Sequence, residues 1–141
     1  MEDYMDNSEL IRSALLSREN AYCPYSGYAV GAALLCADGT VYGGCNIENA
    51  AFTPGNCAER TAIFRAVSDG NRSFLRIAIV GGKKGQKPDS YAFPCGVCRQ
   101  VMAEFVNPKT FKIIVATSPE DYKEYTLGEL LPESFGPENL E

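Results

Sequence analysis

The chain has 141 residues, of which 45% are hydrophobic and 22% charged, and this composition fits one domain over residues 1–141 with a single core. Its net charge of −5 argues against a nucleic-acid partner, because binding to a phosphate backbone normally requires a face rich in lysine and arginine. No apolar run approaches the ~20 residues that span a bilayer, and the N-terminus lacks the pattern of a secretory signal, so we expect a cytoplasmic protein without a membrane partner.

The first part of the chain reads as a helix followed by a hairpin. Apolar residues recur at helical spacing over 10–18, and the Pro- and Gly-containing segment 22–27 interrupts this pattern. Residues 28–36 and 41–45 predict two short strands. The turn residues 37–40 between them contain Asp-Gly and favour a hairpin.

The second part alternates helices and strands. A helix is predicted over 58–67, where apolar residues share one face before an Asp-Gly stop. The apolar run 75–80 predicts a buried strand that ends at two glycines. A third helix is predicted over 94–105, a buried strand over 111–116 and an edge strand over 122–127.

This order of elements predicts an α/β domain. Strand–helix–strand crossovers imply parallel pairing, whereas the hairpin implies an antiparallel pair. We therefore expect a mixed sheet of about five strands covered by helices on both faces, which is a three-layer α/β/α sandwich.

The chain contains six cysteines and no histidine. In a cytosolic protein, clustered cysteines favour metal or redox chemistry over disulfides. The lack of histidine excludes Ser-His and Cys-His nucleophiles and every metal site that needs imidazole. The cysteines are Cys23, Cys36, Cys45, Cys57, Cys95 and Cys98.

Two short motifs, C-A-E at residues 57–59 and P-C-G-V-C at residues 94–98, each lie at the predicted N-terminus of a helix. Free N–H groups and the partial positive charge of a helix N-terminus favour thiolates. Catalytic zinc typically takes three protein ligands and leaves its fourth position to water. Cys57, Cys95 and Cys98 would supply those three ligands for one Zn²⁺ per chain.

Two charged residues follow Cys57. Glu59 suits the role of a proton shuttle beside zinc-activated water, although a lone glutamate there would be read as a solvated residue stabilised by the helix dipole. Three thiolates give the zinc site a net charge of −1. Arg60, three residues after Cys57, can offset this charge by donating a hydrogen bond to a ligand sulfur; the alternative is a surface arginine.

The combination of the two motifs is more specific than either alone. Zinc deaminases share a His- or Cys-x-Glu motif followed by Pro-Cys-x-x-Cys. A bare C-x-x-C also occurs in structural zinc sites and thiol-disulfide oxidoreductases. A structural zinc module, acting as an interaction platform, would need a fourth ligand such as Cys23 or Cys45, whereas an oxidoreductase would use Cys95 and Cys98 without metal.

With these motifs, the chain resembles the small, homotetrameric, zinc-dependent cytidine deaminases. The resemblance runs through nearly the whole chain. It is carried by Y-C-P-Y-S at 22–26, V-G-A-A at 30–33, G-C-N-I-E-N-A at 44–50, N-C-A-E-R-T-A at 56–62, P-C-G-V-C-R-Q at 94–100, E-L-L-P at 129–132 and F-G-P at 135–137.

The resemblance implies that Asn46 and Glu48 hold the ribose hydroxyls. Their chemistry suits this role, because an amide and a carboxylate two residues apart on one strand end face the same side. The alternative is a turn-forming Asn-x-Glu in a loop.

The resemblance also assigns the rest of the substrate pocket. Backbone groups near Ala58 and Cys95 would read the pyrimidine edge, and Tyr28 would line the base pocket. In the implied homotetramer, Phe135 would stack on the pyrimidine bound by a neighbouring subunit. Its alternative role is a hydrophobic plug that anchors the C-terminus.

Three aromatic residues depart from the family's usual pattern: Tyr28, Phe52 and Phe93 stand where phenylalanine, tyrosine and serine are common. They leave the pyrimidine preference open and do not touch the proposed zinc ligands or Glu59. The three cysteines outside the motifs are expected to be small buried residues.

The implied activity is hydrolytic deamination of free cytidine and deoxycytidine to uridine and deoxyuridine plus ammonia, a step of pyrimidine salvage. Glu59 would take the proton of the attacking water, protonate N3 and then protonate the departing ammonia. Deamination of a nucleoside analogue such as blasticidin S is an alternative with the same core motifs. The segment N-I-E-N at 46–49 favours the nucleoside.

Overall fold

The computed structural model describes residues 5–140 as helices and strands in the predicted order. The elements are α1 (Asn7–Arg18), β1 (Tyr28–Cys36), β2 (Val41–Cys45), α2 (Ala58–Ser68), β3 (Phe74–Lys83), α3 (Gly96–Phe105), β4 (Lys112–Ser118), β5 (Asp121–Thr126), α4 (Leu127–Leu130) and a 3₁₀ turn (Pro137–Leu140).

The five strands form one mixed sheet in the order β2-β1-β3-β4-β5. β3 and β4 pair in parallel, and the other neighbouring pairs are antiparallel. β3 and β4, which are connected through α3, are therefore parallel neighbours, as predicted for a strand–helix–strand crossover. β2 and β3, which are connected through α2, are not neighbours, because β1 lies between them.

Helices cover both faces of the sheet, which confirms the three-layer α/β/α prediction. On one face α1 packs through Leu10, Ile11 and Ala14. On the other face lie α2, α3 and the short α4, around a larger core. Its largest fully buried side chains are Leu34, Ile63, Ile77, Ile79, Met102, Phe111, Ile113 and Leu127.

Local sequence signals explain where α1 begins and where α2 ends. Asp6 is the N-cap of α1: its carboxylate accepts from the backbone N–H of Glu9 at 2.9 Å, and the Glu9 carboxylate accepts from the N–H of Asp6 at 3.2 Å. This reciprocal capping box satisfies two amides that the helix itself leaves unpaired. α2 ends as predicted, with Asp69 as its C-cap and Gly70 at a φ of +87°.

β3 is longer than predicted, because Gly81 and Gly82 continue the strand instead of ending it. They pair with Val30 and Ala29 of β1. A Cβ on Gly81 would lie 3.0 Å from the hydroxyl of Tyr28 and 2.9 Å from the Cβ of Ala92. Glycine is needed here because the Tyr28 side chain lies against the strand.

Gly44 of β2 lets α2 approach the sheet closely. A Cβ on Gly44 would lie 2.4 Å from the carbonyl oxygen of Ala58 and 2.6 Å from the amide nitrogen of Ala62. Both atoms belong to the backbone of α2. The first turn of α2, which carries two of the predicted site residues, is therefore seated directly on β2.

Of the cysteines outside the motifs, Cys23 and Cys36 are buried as predicted, whereas Cys45 is partly exposed and packs against a small cluster that includes Cys23. Within residues 5–140, none of the helices has the length and apolar character needed to cross a bilayer.

Candidate active site and metal centre

The three motif cysteines meet where two helices begin. Cys57 is the N-cap of α2 and Cys95 the N-cap of α3, while Cys98 lies in the first turn of α3. The Sγ atoms of Cys57 and Cys95 are 3.8 Å apart, and those of Cys95 and Cys98 are 3.5 Å apart. All three sulfurs lie within 4.8 Å of one another.

This spacing fits a zinc ion. A tetrahedral Zn²⁺ with bonds of ~2.3 Å to sulfur separates two ligand sulfurs by about 3.8 Å. Within residues 5–140, no fourth cysteine, aspartate or glutamate joins the three sulfurs. Cys23 and Cys45, which a structural zinc module would need, stand outside the cluster, so the fourth position is left to a non-protein ligand.

Arg60 lies on the same turn as Cys57 and donates a hydrogen bond from Nη2 to its Sγ over 3.3 Å. The pKa of Cys57 falls from 9.0 to about 5, chiefly through a hydrogen bond from the Cys98 thiol and then through those from Arg60 and Cys95. The pKa of Cys98 rises, because its proton is shared with Cys57 and its sulfur is buried. Cys57 thus favours the thiolate form beside the guanidinium of Arg60.

Glu59 lies in the first turn of α2, is only 4% exposed and lines the cleft beside the cysteines. Burial is the main cause that raises the pKa of its carboxyl from 4.5 to about 7, and the negative charge of Cys57 adds to this rise. A carboxyl that titrates near neutral pH can both accept and donate a proton.

Cys57, Cys95 and Glu59 border a cleft with a volume of about 790 Å³. The sequence-predicted residues that line it are Tyr28, Asn46, Glu48, Cys57, Ala58, Glu59, Arg60 and Cys95. Cys98 is buried. The structure thus gathers eight predicted residues around one cleft, with Cys98 beside Cys95.

Asn46 and Glu48 follow β2 and line the cleft beside the start of β1. The Asn46 side chain bridges the backbone of β1: Oδ1 accepts from the N–H of Val30 at 2.9 Å, and Nδ2 donates to the carbonyl of Tyr28 at 2.8 Å. Glu48 accepts hydrogen bonds from the residues just before β1. Both side chains are thereby fixed before any ligand arrives.

Aromatic side chains form the walls and rim of the cleft. Tyr28 and Phe93 are partly exposed, and Phe52 is fully exposed at the rim. Tyr91 also lines the cleft and was missed by the sequence reasoning. Its hydroxyl donates to the Oδ1 of Asp121 at 2.5 Å, a contact between segments 30 residues apart that no local pattern reveals.

Phe135 stands away from this cleft. Its side chain is 58% exposed, and its carbonyl oxygen accepts a hydrogen bond of 2.8 Å from Nε2 of Gln100 on α3. Phe135 is absent from the residues that line the cleft of its own chain. Any contact with a bound base would therefore have to be made in another subunit.

Comparison with known proteins places this site in a family. Residues 5–115 match the model of the cytidine and deoxycytidylate deaminase zinc-binding region. The chain belongs to this deaminase family. Its cofactor is zinc, which the cluster of Cys57, Cys95 and Cys98 can hold as one ion.

Relatives of this deaminase are similar over their full lengths. A protein of Sporosarcina psychrophila named cytidine deaminase is 51% identical over 136 residues, which cover 96% of both chains. A cytidine deaminase of Halalkalibacterium halodurans is 48% identical over 136 residues, covering 96% of this chain and 98% of the relative. The solved cytidine deaminase of Burkholderia pseudomallei has a TM-score of 0.83 at 44% identity, covering 93% of this chain and 100% of the other. These similarities favour a catalytic deaminase over a structural zinc module.

Proposed function

We propose that this protein catalyses the hydrolytic deamination of free cytidine and deoxycytidine to uridine and deoxyuridine with release of ammonia, a step of pyrimidine salvage. The observation that carries this proposal is the placement of three sulfurs at zinc spacing beside the buried carboxyl of Glu59 in one cleft, with no fourth protein ligand among the described residues. The relatives named cytidine deaminase support the same reaction.

In the proposed reaction, bound zinc supplies an activated water as the nucleophile. Glu59 carries the two protons of the attacking water in turn, the first to ring N3 and the second to the amino group, which leaves as ammonia. Its low exposure keeps bulk water away from the shuttle. Arg60 offsets the charge of the three thiolates through its contact with Cys57.

We assign the two ends of the cleft to the two parts of a nucleoside. Asn46 and Glu48 would hold the sugar hydroxyls. The backbone at Ala58 and Cys95 would read the edge of the base, because helix N-termini offer unpaired N–H groups. Tyr28 would form a wall of the base pocket.

The charges of the cleft favour a nucleoside over a nucleotide. Its charged lining residues, apart from the cysteines, are Glu48, Glu59 and Arg60, and the arginine is engaged with Cys57. The described lining thus offers a 5′-phosphate two acidic side chains and no cation that is free to pair with it. Phosphate groups are normally bound by arginine, lysine or backbone amides.

We further propose a homotetramer in which Phe135 covers the cleft of a neighbouring subunit, and a single domain over residues 1–141. The exposed ring of Phe135 and the fully exposed Phe52 at the cleft rim support such an assembly, because both would gain apolar contacts in it. A cytoplasmic location is supported by six free cysteines, which suit a reducing compartment.

The direct test is incubation of the zinc-loaded protein with cytidine, deoxycytidine and cytosine, following ammonia release and absorbance. We expect turnover of both nucleosides and rejection of cytosine by orders of magnitude, because the free base leaves Asn46 and Glu48 without their partners. Efficient turnover of cytosine would contradict the nucleoside assignment. A protein that holds zinc but deaminates none of the three would contradict the proposed function as a whole.

A further inference from the structure

A single hydroxyl connects the sugar end of the cleft to its base wall. The Oγ of Ser26 donates to Oε2 of Glu48 and accepts a hydrogen bond of 3.0 Å from the backbone N–H of Tyr28. Ser26 also belongs to the lining of the cleft. The hydroxyl thus joins the proposed sugar-binding carboxylate to the residue whose ring lines the base pocket.

The other oxygen of Glu48 is held by the backbone of the same turn. Oε1 accepts from the N–H of Tyr25 at 3.0 Å and from the N–H of Ser26 at 3.1 Å. An ionised carboxylate has about four acceptor positions. Three of them are filled, two on Oε1 and one on Oε2, so the one remaining acceptor position is on Oε2, beside the Ser26 hydroxyl.

The two backbone bonds alone do not orient this remaining position. Both amides donate to Oε1, so the carboxylate can still rotate and move Oε2 when Oε2 has no hydrogen-bond partner. The hydroxyl of Ser26 is the contact that fixes Oε2. It also holds the pKa of the Glu48 carboxyl below its usual value, and the two amides act in the same direction.

We propose that Ser26 is a positioning residue for nucleoside binding. Its hydroxyl orients Oε2 of Glu48 so that the free acceptor position receives a sugar hydroxyl, and it sets this geometry relative to the base wall at Tyr28. Ser26 acts through Glu48 and takes no part in proton transfer. This inference rests on the proposed function, because it requires that Glu48 binds the sugar.

The test is a double-mutant cycle of Ser26→Ala and Glu48→Ala in the zinc-loaded protein, with two readouts: the KM and kcat for cytidine, and the Kd of the product uridine measured by calorimetry. A hydrogen bond to a charged group is worth about a factor of ten in binding. Ser26→Ala should raise KM and Kd by about tenfold while kcat stays within about twofold. It should have no further effect once Glu48 is alanine, because residues that act as a unit are not additive.

Two further variants serve as controls. Ser26 is exposed, so there is room for the extra methyl group of Ser26→Thr, which keeps a hydroxyl and should restore most of the affinity. Ser68→Ala removes an exposed hydroxyl at the end of α2, outside the cleft, and should leave KM, Kd and zinc content unchanged.

The inference is overturned if Ser26→Ala keeps the parental KM and Kd, or if it raises them equally with and without the Glu48 carboxylate. Equal effects in both backgrounds would mean that the hydroxyl acts on the fold or on the base pocket instead. If the parental protein neither turns over cytidine nor binds uridine, the proposed function fails first. The two failures are therefore distinguishable.

Discussion

The close packing of α2 against β2 at Gly44 can be tested with the variant Gly44→Ala, which adds one methyl group. The added Cβ would lie 2.4 Å from the carbonyl oxygen of Ala58, whereas ordinary contact begins at 3.4 Å. The obstructing atoms are helix backbone, which cannot rotate away as a side chain can. To relieve the contact, α2 must move from the sheet by about 1 Å.

This movement should affect stability and catalysis together. Overpacking of a tight core costs about 1–3 kcal/mol, and we expect about 3 kcal/mol because the clash is with two backbone atoms of α2. For a domain of this size, that loss lowers Tm by about 10 °C. The displaced first turn carries Cys57 and Glu59. A displacement of ~1 Å in catalytic groups can lower kcat by ~100-fold.

The assay compares Gly44→Ala with Gly96→Ala, using calorimetric Tm, zinc content and kcat for cytidine. Gly96 lies inside the P-C-G-V-C motif, yet a Cβ there would meet no atom within 4 Å, and α3 begins at this residue. Gly96→Ala should therefore keep the parental Tm, zinc content and kcat. A Gly44→Ala protein with parental Tm and kcat would refute the argument that close approach at Gly44 positions the site.

Five other variants test the proposed roles. Glu59→Gln should retain about one zinc per chain and lose nearly all turnover, because it keeps the shape of the side chain but not the carboxyl that carries the proton. Cys57→Ala should lose both zinc and turnover. Metal analysis and the ammonia assay measure these two properties. Arg60→Ala should keep zinc but lower kcat at saturating cytidine, because thiolate charge is no longer offset, and an unchanged kcat would remove Arg60 from the mechanism. Glu48→Ala should reduce kcat/KM far more for cytidine than for cytosine, and equal losses would argue against sugar binding. Phe135→Ala should raise KM about tenfold with zinc retained. Its mixture with Glu59→Gln should regain activity if the site is shared between subunits, whereas a self-contained site would show no complementation.

Much of the fold was predictable because its signals are local. The bounds of β1 and β2 agree with the structure residue for residue, and the Asp-Gly turn between them marks the end of β1 and the start of β2. The second helix was placed at 58–67 and is observed at Ala58–Ser68. The metal cluster was predictable for the same reason: its cysteines sit at two helix N-termini, positions that sequence patterns mark well.

The remaining features depend on contacts between distant segments. Gly81 and Gly82 look like the end of a strand in the sequence, but they continue it by pairing with β1. They are glycines because the Tyr28 ring and Pro88 occupy the space that side chains would need. Leu127 was assigned to the last strand, but it begins α4, since Thr126 caps a new helical turn. The roles of Tyr91 and Ser26 rest on hydrogen bonds across 30 and 22 residues, respectively.

The segment 44–48 connects the two ends of the cleft. At the metal end, Gly44 seats α2, and the carbonyl of Cys45 accepts a hydrogen bond of 3.0 Å from Thr61, one turn beyond the zinc-ligand motif. At the sugar end, Asn46 bridges β1 and Glu48 is held by the turn before it.

Ile47 of the same segment joins it to the start of α2. Ile47 exchanges two backbone hydrogen bonds with Asn56, each of 2.9 Å, and Asn56 immediately precedes Cys57. The position of Cys57, the first proposed zinc ligand, and that of Glu48, the proposed sugar-binding carboxylate, are therefore set by consecutive residues of one short segment. Since the two positions share this backbone, a substitution that displaces it, such as Gly44→Ala, should change zinc retention and nucleoside affinity together, whereas Ser26→Ala should change affinity alone.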